Sequence, residues 1–319
     1  MVGEAHLGRL RNAWLTLAVG PFAPPNLYLT AVDEEVVLPP AIEAARQSFA
    51  EAVASRSVGH HRPVDNDCLA LRAFDVSERT RNHELPILRL EFCRTSYFRG
   101  RVTNWQLDRP TMLDGRQTTL RTAVVAQHDL RVSPAPSLAN IWGIILTIVT
   151  SDAWVLVPLR GQTEVEANCF GPSVGEEGLW SRDVLDGGTI DPFRIAAAGV
   201  EEELGITLEP RHLQWLEFGA NTVCCRYALV GLVNIDLTRS ELQSAMSTNA
   251  KDAWEIRAPA WARFAPESVA AFMSEPGRRF SPYATAALTR ALLQKFGWSR
   301  CASAFANAEI DVVRSTLRL

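Results

Sequence analysis

The stretch DPFRIAAAGVEEELGITLEP, residues 191–210, contains the most clearly delimited helix of the sequence, because start and stop signals flank a helical pattern. Asp191 is a favoured N-cap residue, and Pro192 suits the first position of a helix. Gly205 is placed as a C-terminal stop. The spacing therefore predicts a helix over 192–204 with one buried face, formed by Phe193, Ile195, Ala196, Ala197, Val200 and Leu204.

Three consecutive glutamates, residues 201–203, end this helix. Consecutive residues diverge by about 100° around a helix, whereas residues three or four apart share a face. The position that shares a face with both Glu202 and Glu203 is 199, and it holds a glycine. The ordinary interpretation is a solvated helix end. The alternative is that Glu202 and Glu203 are two carboxylates of a metal site.

Composition narrows the class of protein. The 319 residues are 47% hydrophobic and 21% charged, which is typical of globular proteins. The net charge is −4 and no basic run occurs, so neither nucleic-acid nor membrane-surface binding is indicated. The N-terminus lacks the pattern of a secretory signal, and the six cysteines match no zinc spacing. We expect reduced thiols and a cytoplasmic protein, with a homodimer as one option for its assembly.

A linker pattern, SPAPS at 133–137, divides the chain. The second unit, 138–297, mixes strand and helix patterns, and residues 298–319 form a C-terminal tail. An α/β (α+β) architecture is predicted for this unit, with a mixed sheet packed between helices. Its predicted strands lie at 141–150, 153–160, 213–219 and 223–233, and its further helices at 239–247 and 281–297.

Residues 1–135 are interpreted as an additional N-terminal α+β domain of unknown role. Apolar residues at helical spacing predict a helix over 41–56. Alternation within 85–104 predicts a strand, and 118–132 is a further strand candidate. His60 and His61 are adjacent, so their side chains should point apart, and a surface position is expected.

The end of the helix resembles a known signature. VEEELGI, 200–206, is similar to the close of the Nudix box, whose pattern is Arg-Glu-apolar-any-Glu-Glu-any-Gly-apolar. The matching positions are Val200, Glu202, Glu203, Gly205 and Ile206. The sequence departs from the box at Ala198 and Gly199, and, counting back at its fixed spacing, at Val184 and Ile190.

The surrounding sequence extends the resemblance over about 138–297. The family places a strand pair with a basic residue before the box, and DAWVLVPLRG ends in Arg160. SVGEEG, 173–178, resembles the family's Gly-Glu loop, with 179–190 as an insertion before the helix. AWEIRAPAW, 253–261, resembles a later strand that often carries an acidic residue.

The resemblance implies Mg²⁺ or Mn²⁺, which the box glutamates of the family bind. Glu202 and Glu203 would be metal ligands, and Glu176 or Glu177 would add a ligand or a catalytic base where Gly199 leaves a gap. Glu255 and Glu217 are further candidates for that gap.

The implied activity is hydrolysis of a diphosphate linkage in a nucleoside diphosphate derivative. Arg160 would contact phosphate, and Trp180, in the polar insertion, would stack on a nucleobase. Two alternatives stay open. One is a Nudix-fold protein that has lost hydrolysis and binds a nucleotide-like ligand as a sensor or scaffold, which Ala198 and Gly199 favour. The other is a biosynthetic enzyme that reuses the pocket.

Overall fold

The computed structural model describes residues 13–55, 63–77, 86–161, 166–306 and 308–312, and its fold is α+β. His60 and His61 lie outside the described residues. The strands are β1 (Trp14–Phe22), β2 (Leu27–Glu35), β3 (Asp67–Ser77), β4 (Ile87–Ser96), β5 (Thr111–Leu113), β6 (Arg116–Thr118), β7 (Trp142–Val149), β8 (Trp154–Leu156), β9 (Leu159–Arg160), β10 (Val174–Glu177), β11 (Leu213–Asn221), β12 (Arg226–Asn234), β13 (Ile256–Ala258), β14 (Trp261–Arg263), β15 (Arg279–Phe280) and β16 (Asp311–Val312). The α-helices are α1 (Pro40–Ser55), α2 (Tyr97–Val102), α3 (Leu120–Ala123), α4 (Trp180–Asp183), α5 (Pro192–Leu204), α6 (Arg239–Asn249), α7 (Pro266–Met273), α8 (Pro282–Phe296) and α9 (Trp298–Phe305).

Helix α5 confirms the prediction for 192–204. The Asp191 side chain accepts the backbone N–H of Phe193 at 2.9 Å, which caps the first turn. Gly205 adopts the left-handed conformation at φ 66°, and its N–H bonds the carbonyl oxygen of Glu201. Glycine takes this conformation without the steric cost of a Cβ atom, so it ends the helix.

The central sheet has seven strands in the order β1-β11-β12-β7-β8-β14, with β10 also paired to β7. Strands β7 and β12 are parallel, and the other pairs in this sheet are antiparallel. Strand β7 is buried on both faces. Ile144 and Leu146 share a hydrophobic core with the buried face of α5, whereas Ile145 packs with Ala286 and Ala287 of α8. The sheet therefore lies between helices.

The most apolar stretch, 140–159, forms β7, a tight turn and β8, as its interruption by polar residues predicts. Val149 pairs with Val155 across this turn. The predicted strand 153–160 is divided into β8 and β9, because Pro158 lies between them and lacks the N–H that a ladder requires. Within the described residues, no helix combines the length and apolar character needed to cross a membrane.

The N-terminal unit has its own sheet, in the order β2-β4-β3, but it shares a core with the second unit. Strand β1 pairs with β11 inside the central sheet. Glu217 of β11 is fully buried, and its carboxylate accepts hydrogen bonds from Trp14 Nε1 at 2.7 Å and Thr16 Oγ1 at 2.8 Å. The predicted boundary at 135–138 therefore does not separate two cores, because β1 completes the sheet of the second unit.

Of two strand predictions in the N-terminal unit, the one within 85–104 is confirmed and the one over 118–132 is wrong. Residues 118–132 contain helix α3 and a 3₁₀ turn instead of a strand, because the Thr119 side chain accepts the N–H of Thr122 and caps a helical turn. The alternation over 87–92 lies within β4, and this strand ends at Ser96, whose side chain accepts the N–H of Arg99 and starts α2.

Candidate active-site cavity

A cavity of about 760 Å³ lies where three strands of the central sheet meet. Ala228 of β12 is in register with Gly143 of β7, since these strands are parallel. Glu177, the last residue of β10, is also in register with Gly143, from the opposite side of β7. The first residues of β7 and β12 and the last residue of β10 therefore lie at the same end of the sheet. Side chains from α5, α8 and the N-terminal unit complete the lining.

Glu176 lies over Gly199, the position on α5 that shares a face with Glu202 and Glu203. A Cβ atom at position 199 would lie 2.8 Å from the Cβ of Glu176 and 3.0 Å from Cγ1 of Val174. The stem of Glu176 thus fills the space that a side chain at 199 would need. Strand β10 brings a carboxylate to the helix face that lacks one, and the residue in this place is Glu176 and not Glu177.

Glu203 is half-buried and contacts the backbone of β10. Its carboxylate accepts the N–H of Gly175 at 3.0 Å. Burial raises its pKa well above the ordinary value, and the negative charges of Glu255 and Glu176 raise it further. The interpretation as a solvated helix end does not describe Glu203. It does describe Glu201, which is exposed and pairs with Lys251 at 2.9 Å.

Arginines neutralise several of the acids at this site. Each pair joins a guanidinium nitrogen to a carboxylate oxygen, and all six residues line the cavity. The pairs are Arg182 with Glu176 at 2.8 Å, Arg226 with Glu177 at 2.6 Å, and Arg160 with Glu255 at 3.4 Å. Arg160, predicted to contact phosphate, is therefore at the cavity, where its guanidinium faces an acid.

Carboxylates outnumber arginines in the lining. Burial raises the pKa of Glu176 to about 8, and it also raises the pKa of Glu166. The ionised forms of Glu166 and Glu176 are therefore unfavourable without a further positive charge. Within the part of the chain that the structure describes, the lining carboxylates are Glu166, Glu176, Glu177, Glu202, Asp252 and Glu255, and the lining arginines are Arg160, Arg182 and Arg226.

The carboxylates near α5 and β10 are of the chemical kind that a divalent cation binds, but their positions do not form a metal site. Mg²⁺ and Mn²⁺ take hard oxygen ligands, and Glu176, Glu202 and Glu203 supply carboxylates from two neighbouring elements. Among the residues with described positions, no group of three His, Cys, Asp or Glu side chains is placed so that it could hold a metal ion.

The raised pKa of Glu176 predicts that stability depends on pH. Its pKa is 4.5 in the unfolded chain and about 8 in the fold, so the unfolded state loses this proton first as pH rises. The contribution of Glu176 to stability is therefore full below pH 4.5 and is lost as pH rises through 8. Glu176→Gln does not titrate and should gain on the order of 1–3 kcal/mol over wild type between pH 5 and pH 8.

Urea unfolding of both chains at the two pH values, in EDTA, measures this gain. The same difference between variant and wild type at pH 5 and pH 8 would contradict the assignment. Metal-free buffer is required because a bound cation would favour the ionised carboxylate.

Three predicted site residues are not among the lining residues: Glu203, which contacts the lining residue Gly175, and Trp180 and Glu217, which have other partners. Trp180 is not among the lining residues; its half-buried ring packs beneath the guanidinium of Arg94, 4.6 Å from the ring centroid. The predicted stacking role of Trp180 therefore has no support from the geometry. Glu217, a candidate for the gap at position 199, is instead buried between β1 and β11, where it bonds Trp14 and Thr16.

Sequence reasoning missed several lining residues. Arg182 and Arg226 reach the cavity from the insertion and from the first position of β12. Tyr97 and Trp105 come from the N-terminal unit, outside the resemblance. Of these residues, Arg182 alone could have been noticed in the sequence, because it is a basic residue in the insertion that follows Glu176 and Glu177.

Comparison with known proteins adds little to this geometry. No family model matches the chain, and no curated protein matches it. Among solved structures, the chain is similar to the crystal structure of DR0079 from Deinococcus radiodurans. The TM-score is 0.34 and the identity is 15%, over 47% of this chain and 82% of that chain. A likeness at this level carries no argument about function.

Proposed function

We propose that this protein is a Nudix-like hydrolase that cleaves a diphosphate linkage in a nucleotide-derived metabolite. One observation carries the proposal: Glu176 lies over Gly199, beside the face of α5 that presents Glu202 and Glu203. The Nudix box has a glutamate where this chain has Gly199, and Glu176 of β10 supplies a carboxylate in its place. The excess of lining carboxylates over arginines supports a role for a divalent cation.

Glu176, Glu202 and Glu203 are the residues that would hold Mg²⁺ or Mn²⁺. When bound, the ion would offset the charge of a diphosphate and lower the pKa of a water molecule. The chain's own residues then have separate tasks. Arg160 orients a phosphate group through its guanidinium. Glu177, or Glu176 when it is ionised, accepts the proton of the attacking water.

The test is a screen for cleavage with purified protein. ADP-ribose, nucleoside diphosphate sugars and dinucleotides are incubated with Mg²⁺, with Mn²⁺ or with EDTA, and the released nucleotide or phosphate is measured. We expect turnover of at least one compound that needs the metal and disappears in EDTA. Turnover that is equal in EDTA, or absent for every compound, would contradict the proposal.

A second candidate function is binding without cleavage, as a sensor or scaffold. The acid–arginine pairs favour it, because three of the described lining carboxylates already have a cationic partner. In this case a nucleotide raises the melting temperature while no substrate is turned over. The same screen, followed by thermal unfolding with each compound, therefore separates the two functions.

A further inference from the structure

One wall of the cavity comes from the N-terminal unit, which the proposed catalytic groups do not use. This wall contains two aromatic rings, those of Tyr97 and Trp105, whose centroids are 5.5 Å apart. Tyr283 of α8 adds a third ring to the lining. We call Tyr97 and Trp105 the aromatic wall. The residues that the N-terminal unit contributes to the lining are Pro63, Val64, Asn66, Tyr97 and Trp105.

A planar cation is already packed on this wall. The guanidinium carbon of Arg226 lies 4.4 Å from the ring centroid of Trp105, and the side chain is mostly buried. The carboxylate of Glu177 fixes the guanidinium from one side at 2.6 Å. Guanidinium and aromatic faces both stack on planar π systems. Trp105 is therefore covered, and the wall offers the half-buried ring of Tyr97 and a fixed charge close to the acids of α5 and β10.

The local backbone holds Tyr97 in place. The N–H of Tyr97 donates to the carbonyl oxygen of Asn66 at 2.9 Å, and the N–H of Phe98 donates to Asp65 Oδ1 at 2.7 Å. These bonds tie the start of α2 to the segment before β3. The Tyr97 ring lines the cavity and is only half-buried, so part of its surface is accessible. A preformed surface of this kind binds a ring with little loss of entropy.

We propose that the N-terminal unit forms the recognition site for a planar aromatic ring, such as a nucleobase, attached to the diphosphate. This inference rests on the proposed function for the class of ligand. Tyr97 stacks on the ring, and Arg226 with Glu177 borders it. Trp180 does not take part, since it packs beneath Arg94 away from the lining. The N-terminal unit thus determines which diphosphates bind, while α5 and β10 act on the linkage.

Binding of uncleavable ligands tests the inference separately from catalysis. The probes are the α,β-methylene analogues of ADP, GDP, CDP and UDP, together with an abasic analogue that keeps the ribose and both phosphorus groups. Calorimetry with Mg²⁺ gives each dissociation constant. We expect at least one nucleoside analogue to bind about 10-fold or more tightly than the abasic analogue, as base stacking on an aromatic side chain predicts.

Variants then test whether Tyr97 is responsible for the higher affinity of the nucleoside analogues. Tyr97→Ala should remove most of this advantage and leave binding of the abasic analogue unchanged. Tyr97→Phe keeps the ring and should keep the advantage. Tyr28→Ala is the matched control, because Tyr28 is an exposed tyrosine of the same unit that does not line the cavity.

Three results would overturn the inference: equal affinity for abasic and nucleoside analogues, equal weakening of both by Tyr97→Ala, or no binding of any analogue. Cleavage is not measured in this experiment. A selective loss in Tyr97→Ala therefore supports base recognition even if hydrolysis is never observed. Conversely, metal-dependent hydrolysis without selectivity at Tyr97 leaves the proposed function intact and removes this inference.

Discussion

Replacing Glu203 by glutamine should lower Mg²⁺-dependent turnover by about 10²-fold or more, by analogy with the loss of one stabilising group in a transition state. Glutamine keeps the shape of the side chain and can still accept the N–H of Gly175, but it removes the negative charge. The measurement is the turnover number for the best substrate of the screen, at saturating metal and substrate.

Glu201→Gln is the matched control for this prediction. It makes the same change two residues earlier on α5, on an exposed side chain that pairs with Lys251. We expect its turnover to stay within about 2-fold of wild type, because exposed ion pairs contribute little. If Glu203→Gln has the same turnover as the wild type, the carboxylate of Glu203 is not part of the site, even if the fold is right.

The Glu203→Gln chain should fold at least as stably as wild type. The charge that the variant removes is half-buried and lies near Glu255 and Glu176, which is why its pKa is raised. This expectation replaces the one from the sequence alone, in which a solvated Glu203 has almost no effect on stability. A melting temperature well below that of wild type would attribute any loss of turnover to misfolding.

Gly199→Glu, which restores the residue that the Nudix pattern has at this position, should destabilise the protein by about 3 kcal/mol, the upper end of the cost of overpacking. The reason is the 2.8 Å approach between a Cβ at 199 and the Cβ of Glu176. Helix propensity acts in the opposite direction, since glycine is unfavourable inside a helix. The free energy of unfolding in urea measures the balance.

The exchange of the two residues, Gly199→Glu with Glu176→Gly, tests the contact itself. If Glu176 occupies the place of a side chain at 199, the double variant should be at least about 1 kcal/mol more stable than the sum of the single variants predicts. Ala198→Glu, at a partly exposed neighbouring position, is the control and should cost little. Strict additivity of the two single changes would contradict the steric account.

Much of the fold follows from local signals in the sequence. The helix over 192–204 was predictable because Asp191, Pro192 and Gly205 act on their own neighbours. The turn between β7 and β8 was predictable for the same reason. The strand expected over 118–132 was wrong because the Thr119 cap, a single hydroxyl, decides that segment.

The candidate site depends on contacts that no local pattern contains. Glu176 reaches Gly199 only because β10 pairs with β7 and α5 packs beside it. Arg226 reaches Glu177 only because β7 lies between their strands. Spacing along the chain cannot report such arrangements, so the sequence indicated the acidic helix end but not its arginine partners.

The position of β1 has a consequence for the order in which the chain folds. Trp14 and Glu217, joined by a hydrogen bond in the central sheet, are 203 residues apart in sequence. During synthesis the first strand emerges long before its partner β11, so it must stay unpaired while most of the protein is made. Contacts between such distant residues form slowly, because a long loop must close first. The sheet edge at β11 is therefore completed late, and an emerging chain carries an unsatisfied apolar strand that molecular chaperones are suited to protect.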